Sequence, residues 1–296
     1  MKLEYIVNTK NKYVNIYQVM KEYFCLSNRL IFKLRKNNKI YLNNSAVLNI
    51  NQEIIYNDVI YIYLDFEETC DNIMPTKMNL TILYEDDSLL IVDKPPFMPV
   101  HPSINHFEDS LSNGIKYYFN LINLNKKIRP INRLDKNTSG IVLFAKNEYV
   151  QECLIKQMKS NTFIKEYTAI IKGIVNFKEK TIIAPIARKE NSIIERCISP
   201  DGVYAKTLVK LFKSYENYSI VNCILETGRT HQIRVHMKYI NHPILGDDLY
   251  GEKSTLINRQ ALHSSKVKFI HPINKSKIEI TSNLPDDMRK LIFISN

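Results

Sequence analysis

The stretch LETGRTHQIRVHMKYINHPILGDDLYG (225–251) shows how strands and helices follow one another in this chain. A β-strand pattern ends at Thr227, and Thr230 is predicted to cap a helix that begins directly after it. Apolar side chains recur on that helix at i, i+4 and i+7, namely Ile233, Met237 and Ile240. Asn241 then occupies the position of a left-handed C-cap, and Pro243 prevents the helix from continuing. The stretch therefore predicts a strand followed by an amphipathic helix.

The junction between this strand and this helix contains Arg229. A guanidinium beside the free N–H groups of a helix N-terminus suits an anion. His231 and His236 follow, but five residues separate them, so they stand ~140° apart around a helix and cannot share one ion. The sequence therefore predicts an anion site here and no metal site, with each histidine either packed or in contact with RNA.

Several further segments alternate in the way that strands do. Short links such as SYEN (214–217) favour hairpins over long crossovers. The predicted strands are LTILYED (80–86), SLLIVDK (88–94), IVLFAK (141–146), FIKEYTAIIKG (163–173), YAKTLVKLF (204–212), YSIVNCILET (218–227), KVKFIHP (266–272) and KIEITS (277–282). The expected fold class is α+β, with a largely antiparallel sheet and helices packed on it.

The first third of the chain has a different pattern. Apolar residues recur at helical spacing from 14 to 24, and Ser27 is predicted to cap a second helix that runs to about Lys36. Arg29, Lys33 and Lys36 form one stripe on this helix, which is either a solvated basic face or an RNA contact. Two helices followed by strands at 39–43 and 58–64 resemble the S4 RNA-binding domain over residues 2–66. Asn stands where that module usually has Gly, at 42–44 and 56–58, and Asn tolerates positive φ.

The composition favours a polyanionic partner. The formal net charge is +11, from 41 Lys and Arg against 30 Asp and Glu. This surplus indicates nucleic acid ahead of a membrane surface, although a general lysine bias would also produce it. No apolar run approaches the ~20 residues of a membrane span, and the N-terminus lacks a signal peptide. The five scattered cysteines indicate reduced thiols, so we expect a cytoplasmic protein, and we expect it to be a monomer.

The chain has only 7 glycines, which suggests that each is kept where a side chain is not tolerated. Neither a P-loop motif nor a G-x-G-x-x-G motif occurs, so no nucleotide cofactor is predicted. The segment INRLDKNTSGIVLFAKN (131–147) places a polar turn before an apolar strand. Asp135 in this turn is compatible with a hairpin residue, a salt-bridge partner or a nucleophile. Tyr167, on a predicted strand, is compatible with core packing or with base stacking.

Three motifs occur in order: R-L-D-x-x-T-S-G, K-x-Y-x-A-x-x-x-G and T-G-R-T-H-Q-I-R-V-H, with K-P-P (94–96) upstream. With YEDDSLLIVDKP (84–95), GDDLYG (246–251) and RQALHSSKVKFIHP (259–272), they resemble the pseudouridine synthases of the large ribosomal and transfer RNA uridine family. The resemblance spans residues 80–285. It implies an isomerase without a cofactor, in which an S4-like domain (1–70) and a linker (71–79) precede the catalytic domain (80–296).

The resemblance also assigns residues. It implies that Asp135 is the nucleophile, that Tyr167 is the active-site tyrosine and that Arg229 is the arginine paired with Asp135. The expected RNA contacts are Arg29, Lys33, Lys36, Arg133, Thr138, His231, Gln232 and Arg234. The family usually has His before R-L-D, whereas this chain has Asn132, which makes an RNA contact by that side chain doubtful.

The S4-like module favours 23S ribosomal RNA, free or in an assembling ribosome, as the substrate. Three alternatives stay open on the sequence. The same chemistry could act on transfer RNA, the chain could be an RNA-binding protein without activity, or a glycosylase could use a carboxylate near C1′.

Overall fold

The computed structural model describes residues 1–293. Its strands are β1 (Lys2–Ile6), β2 (Ile40–Leu42), β3 (Ser45–Ala46), β4 (Val59–Tyr63), β5 (Thr81–Glu85), β6 (Leu89–Lys94), β7 (Ser139–Ala145), β8 (Ile164–Lys172), β9 (Glu179–Ile183), β10 (Ile186–Arg188), β11 (Arg196–Ile198), β12 (Lys206–Ser214), β13 (Tyr218–Leu225), β14 (Leu262–Ile270) and β15 (Lys277–Thr281). Its helices are α1 (Ile16–Gln18), which continues as a π-helical turn (Val19–Tyr23), α2 (Asn28–Lys36), α3 (Leu111–Leu121), α4 (Glu148–Lys159), α5 (Gln232–Tyr239) and α6 (Asp286–Phe293).

A nine-stranded sheet organises residues 81–281, in the order β5-β6-β7-β14-β8-β13-β12-β9, with β15 paired to β14. The β7–β14 pair is parallel, and the other pairs of this sheet in the described residues are antiparallel. Strands β10 and β11 form a separate hairpin. The predicted α+β class with a largely antiparallel sheet is confirmed, and each predicted strand segment contains an observed strand.

Strand β7 is buried along its whole length because both faces of the sheet are covered there. Val142 and Phe144 belong to the core on the side of α3. Ile141, Leu143 and Ala145 belong to a second core that also contains residues of α4 and of the N-terminal module, residues 1–66. Alternate residues of a strand point to opposite faces, so this one apolar run supports both cores.

The N-terminal module has a four-stranded sheet in the order β1-β4-β2-β3, and α2 packs on it. Ser27 accepts a hydrogen bond from the N–H of Leu30, so the predicted helix start is confirmed. Asn43, Asn44 and Asn57 have φ of 48°, 71° and 71°, which confirms that Asn takes over turn conformations that Gly would otherwise supply. The likeness to an S4 domain stays a prediction.

The segment between the module and the large sheet is packed against the protein. Cys70 and Ile73 are buried in the α3-side core, and the Asn113 amide donates to the carbonyl of Met74 at 2.8 Å. Glu68 forms a buried ion pair with Arg129. The predicted division at 71–79 stays a prediction, but this segment is anchored along its path and the module shares a core with the large sheet.

Helix α5 begins later than the sequence indicated. Its N-cap is His231, which has φ of 58°, so the prediction that Thr230 caps the helix is wrong. The left-handed residue directly before Gln232 turns the chain sharply enough that the helix cannot include Thr230 and His231. Asn241 has φ of 62°, which confirms the predicted C-cap. Over residues 1–293, the structure contains no helix with the length and apolarity needed to span a bilayer.

Candidate active site

Asp135 begins a tight turn before β7. The N–H of Thr138 donates to the carbonyl of Asp135 at 3.0 Å, which closes the turn. Gly140 follows with φ of +111°, and a Cβ there would lie 2.3 Å from the carbonyl oxygen of Ser264 on β14. Only glycine permits that approach. The close β7–β14 contact thus fixes the turn, while the Asp135 side chain stays about 30% exposed.

Two buried cations hold the carbonyl groups of this turn. Lys94 donates from Nζ to the carbonyls of Lys136 at 3.1 Å, Met98 at 2.8 Å and Pro95 at 2.9 Å. Arg259 donates from Nη1 to the carbonyl of Asn137 at 3.1 Å and holds Asp287 of α6 with its other nitrogens. Burial, with the nearby charge of Arg259, lowers the pKa of Lys94 to about 7. The backbone on the C-terminal side of Asp135 is therefore fixed from two directions.

Asn132 supports the other end of the same turn. Its amide nitrogen donates to the carbonyl of Ile141 at 2.9 Å, and its amide oxygen accepts from the N–H of Leu143 at 2.9 Å. The side chain is buried and behaves like an additional backbone peptide beside β7. The amide thus has a structural role, and its burial agrees with the doubt about an RNA contact.

Arg234 is the arginine that contacts Asp135. Its Nε and Nη2 bind the two oxygens of Asp247 at 2.7 and 2.8 Å, and its Nη1 lies 3.2 Å from Oδ2 of Asp135. Burial by itself disfavours the charged guanidinium, but the hydrogen bonds and charges of Asp247 and Asp135 outweigh it and raise the pKa of Arg234. The bidentate pair with Asp247 aims the remaining nitrogen at Asp135.

The expected pairing of Arg229 with Asp135 is not what the structure contains. Arg229 is exposed, and its Nε donates to the carbonyl of Tyr204 at 3.0 Å. It precedes the left-handed His231, whereas Arg234 lies within α5, whose packing brings it to the turn at Asp135. Arg234 therefore takes the position assigned to Arg229, and Arg234 is buried instead of being a free RNA contact.

His231 lies between the turn and the G-D-D-L-Y-G segment. Its Nδ1 is 2.8 Å from the hydroxyl of Tyr250, and its Nε2 is 3.7 Å from Oδ2 of Asp135. Burial lowers the pKa of His231, although Asp135 acts in the opposite direction. The ring is therefore neutral at pH 7 and adds no second positive charge beside the Asp135–Arg234 pair.

Tyr167 lies on β8 at the floor of the same cleft. It is buried, with 6% of its surface exposed, and it lines the cavity together with Asp135 and Arg229. Burial raises the pKa of its phenol well above the usual value, so the hydroxyl keeps its proton at neutral pH. A neutral aromatic ring on the floor of an open cleft is compatible with stacking against a base.

The cleft itself has a volume of about 1120 Å³. It extends from the loop at 99–102 across the turn at Asp135 to the ends of α4 and β13. Its acidic lining residues are Asp135 and Glu226. Its cationic lining residues, in the order of the sequence, are Arg133, Lys136, Lys159, Lys165, Arg196 and Arg229. The cleft is therefore open and basic, with the candidate nucleophile on its wall.

The remaining predicted RNA contacts divide into exposed and buried residues. Arg133 is exposed at the cleft and stays a candidate. Thr138 is buried and accepts from the amide of Gln260 at 3.1 Å. Gln232 is buried and donates to the carbonyl of Lys206 and to the hydroxyl of Thr207. The internal hydrogen bonds of these two side chains argue against both predicted contacts, which stay predictions.

The basic stripe on α2 is also partly used within the protein. Lys33 forms an ion pair with Glu148 of α4, and Arg29 Nε lies 3.5 Å from the other oxygen of the same carboxylate. Lys36 is exposed. Lys33 therefore joins the N-terminal module to α4, which argues against its predicted RNA contact, whereas Arg29 and Lys36 remain accessible.

Residues 1–293 contain no cluster of three or more side chains able to hold a metal ion. His236 is buried, with Nδ1 2.9 Å from the hydroxyl of Thr207 and Nε2 3.0 Å from the carbonyl of Ala184. The packed alternative for this histidine is therefore confirmed.

Sequence reasoning missed the roles of Lys94, Asp247 and Arg259, although each lies in a segment that carried the resemblance. The feature of the sequence that could have pointed to a role for Asp247 is its place in a pair of acidic residues within an otherwise apolar stretch. No periodicity could indicate that Arg234 would point at Asp135, because that contact joins residues 99 positions apart.

The chain is similar to known proteins over most of its length. Residues 88–239 match the family described as "RNA pseudouridylate synthase". The chain is 37% identical over 291 residues to "Uncharacterized RNA pseudouridine synthase YhcT" of Bacillus subtilis, covering 98% of this chain and 96% of the relative. It is 31% identical over 278 residues to "Ribosomal large subunit pseudouridine synthase D" of Blochmanniella floridana, covering 87% of each.

A solved structure extends the likeness to the fold. "Human RNA Pseudouridylate Synthase Domain Containing 1" superposes with a TM-score of 0.58 at 23% identity, covering 73% of this chain and 94% of that one. At this level of identity the comparison concerns the fold alone.

Proposed function

Because this chain belongs to the RNA pseudouridylate synthase family, and so to the isomerases, we propose that it acts on uridine in 23S ribosomal RNA with Asp135 as the nucleophile. The observation that carries the proposal is the Asp135 carboxylate, which is held 3.2 Å from Arg234 at the wall of a basic cleft. The target RNA is supported by relatives named for the large ribosomal subunit.

The reaction breaks the C1′–N1 bond of uridine and forms a C1′–C5 bond. No atom is gained or lost overall, since the proton that leaves C5 is matched by one that N1 acquires. The step needs an ionised nucleophile that attacks C1′ of the ribose or C6 of the base. The Arg234 guanidinium, 3.2 Å from Oδ2 of Asp135, orients the carboxylate.

Tyr167 is proposed as the surface on which the displaced uracil stacks. A uridine must leave its helical stack to reach Asp135, which costs a few kcal/mol. Stacking on an aromatic ring and contacts with the RNA backbone offset that cost. The Tyr167 hydroxyl, which burial keeps protonated, is also proposed to relay the C5 proton by giving up its own proton as it accepts that one.

The N-terminal module is proposed to be an S4-like RNA-binding unit that extends the basic surface of the cleft. Arg29, Arg35 and Lys36 are its exposed cations on α2. We further propose that the protein works as a monomer in the cytoplasm, on free ribosomal RNA or on an assembling large subunit. Sedimentation of the purified protein, alone and with RNA, measures the oligomeric state directly.

The proposal is tested by mapping pseudouridine at each position of ribosomal RNA in a strain that lacks the gene. We expect at least one 23S site to lose its pseudouridine and to regain it when the wild-type gene is restored. Asp135→Asn should fail to restore it, because an amide is a poor nucleophile, while the purified variant still binds RNA.

Restoration by Asp135→Asn at the normal level would refute the nucleophile assignment. If the pseudouridine map of 23S RNA is unchanged and pseudouridine is lost from transfer RNA, the enzyme performs the same reaction on transfer RNA. An unchanged map in all RNA would support a binding protein without activity. Free uracil among the reaction products in vitro would instead indicate a glycosylase.

A further inference from the structure

Lys165 is a cationic residue that lines the cleft. It has no role in the proposed reaction and no partner within the described part of the protein. It lies on β8 two residues before Tyr167, so both side chains are on the same face of the strand and both line the cleft. The residue is half-buried. No hydrogen bond or ion pair joins its ammonium group to any residue within 1–293.

The surroundings of Lys165 explain why its charge is unpaired. Its neighbours in register are Leu225 on β13 and Val267 on β14, and both are apolar. The acidic residue next to Leu225 is Glu226, whose carboxylate pairs with Lys206 at 2.6 Å. The other acid of the cleft, Asp135, is paired with Arg234. Every carboxylate that lines the cleft is therefore bound to another cation.

Space for a ligand is available in the cleft, whose wall includes Lys165. The ammonium group also lies close to the backbone of Gly228, which follows β13, because an added Cβ there would be only 3.2 Å from Nζ. Arg229 follows directly and also lines the cleft. Burial lowers the pKa of Lys165, and no neighbouring charge counteracts that effect. A half-buried ammonium group without a partner is unfavourable for the folded protein, so binding of an anion would relieve a cost.

We propose that Lys165 binds a phosphodiester group of the RNA strand whose uridine enters the cleft. An ammonium group two residues from the proposed stacking ring is placed to hold the backbone while the base lies on Tyr167. The phosphate would occupy the cleft beside the ammonium group. This inference rests on the family's RNA chemistry and does not depend on which RNA is the substrate.

The test compares Lys165→Met with Lys165→Arg in the full-length protein. Loss of a charged hydrogen bond to phosphate should raise KM for unmodified 23S transcript about ten-fold. Release of tritium from C5 of uridine measures turnover, and kcat should stay within about two-fold of wild type. Lys165→Arg should retain most of the affinity, because a guanidinium also binds phosphate.

Binding to polyuridylate gives a second readout that needs no turnover. The slope of log K against log salt should fall by about 0.7 for Lys165→Met, which corresponds to one lost contact with a single strand. The matched control is Lys172→Met, at the other end of β8, where the lysine is exposed and paired with Glu252 at 2.9 Å. That variant should keep the wild-type slope and KM.

The melting temperature separates binding from folding. Because Lys165 has no partner to lose, Lys165→Met should melt no lower than wild type. An unchanged salt slope in Lys165→Met would overturn the proposal, and so would a fall in kcat at constant KM, which would assign Lys165 to the chemistry. A wild-type protein that binds polyuridylate but leaves 23S transcript unmodified would refute the proposed substrate while leaving the slope comparison intact.

Discussion

Two basic regions of this protein have similar side chains and different surroundings. On α2, Lys33 pairs with the carboxylate of Glu148 and so fastens the N-terminal module to α4, whereas Arg29 lies near the same carboxylate but stays 75% exposed. In the cleft, Lys165 faces no carboxylate at all among residues 1–293, and Arg229 contacts only a carbonyl there. The first region uses its charge within the protein, and the second leaves charge available for a ligand.

The difference shows that a surplus of positive charge does not by itself locate the RNA-binding surface. A cation that is paired with a protein carboxylate contributes to docking, and an RNA phosphate would have to displace that carboxylate. A cation whose neighbours are apolar or already paired retains its attraction for phosphate. Arg234 belongs to a third group, because it pairs with two carboxylates, Asp247 and the proposed nucleophile Asp135.

The largest expected effect separates Arg234 from Arg229. Arg234→Lys keeps the charge but cannot bind Asp247 with two nitrogens and reach Asp135 with a third. Misplacement of the carboxylate should lower kcat by about 10²-fold or more. Arg229→Lys should change kcat less than ten-fold and act mainly on KM. Steady-state tritium release measures both variants.

Circular dichroism melting controls for folding in this pair, since Arg234 is buried and Arg229 is exposed. If kcat falls further in Arg229→Lys than in Arg234→Lys, and both variants are folded, the pairing of Arg229 with Asp135 expected from the sequence is correct. The observed geometry would then not be the one in which the reaction occurs.

A smaller effect is expected on α2, where the paired and unpaired cations can be contrasted directly. Lys33→Met removes one partner of Glu148, and with partial solvent screening this should cost about 1 kcal/mol of unfolding free energy. The melting temperature should fall by roughly 2–4 °C. The salt slope for polyuridylate should stay unchanged, which is the reverse of the pattern expected for Lys165→Met.

Lys36→Met is the matched control on the same helix, because Lys36 is exposed. It should melt like wild type. A reduced salt slope in Lys33→Met at an unchanged melting temperature would mean that the Glu148 pair opens and that Lys33 binds RNA.

The smallest expected effect concerns the dependence of stability on pH, and it involves a histidine whose burial disfavours the charged form. Burial lowers the pKa of His236 below its usual value of 6.5. The unfolded chain therefore binds a proton near pH 6.5 that the folded protein does not, so stability should be lost as pH falls below 6.5. His236→Gln should partly flatten the dependence of melting temperature on pH between 7 and 5.5. A dependence as steep as that of wild type would show that His236 is not a source of the acid sensitivity.

The flattening should be partial because burial lowers the pKa of His231 and His263 in the same direction. Their contribution remains in the His236 variant. At pH 7 and above, the variant should differ from wild type by an amount that does not depend on pH.

Local features of the fold were predictable because their causes are local. Ser27 caps α2 through an N–H three residues away, and Asn241 ends α5 through its own backbone conformation. Strand patterns located every member of the large sheet except β9, since a side-chain period of two is visible along a single strand. The start of α5 was misplaced because two capping residues, Thr230 and His231, compete within one turn, and only the path of the chain decides between them.

The candidate site was predictable only in part. Asp135 and Tyr167 lie in motifs whose order is visible in the chain, and both line the observed cleft. The sequence could not show which arginine lies beside Asp135. Arg229 and Arg234 belong to one motif, and only the fold decides which of the two side chains points toward Asp135. The burial of Thr138 and Gln232 was not predictable for a related reason, since their hydrogen-bond partners are distant in sequence.

The sequence by itself determined the family, the strand segments and the position of the candidate nucleophile at the mouth of a turn. Those properties depend on side-chain identity and short-range spacing, which one chain displays directly. The tertiary structure decided which cations are paired with Asp135, Glu148 and Glu226, and which one is left without a partner. Charges interact through space over a few ångströms, and folding alone sets which residues come that close.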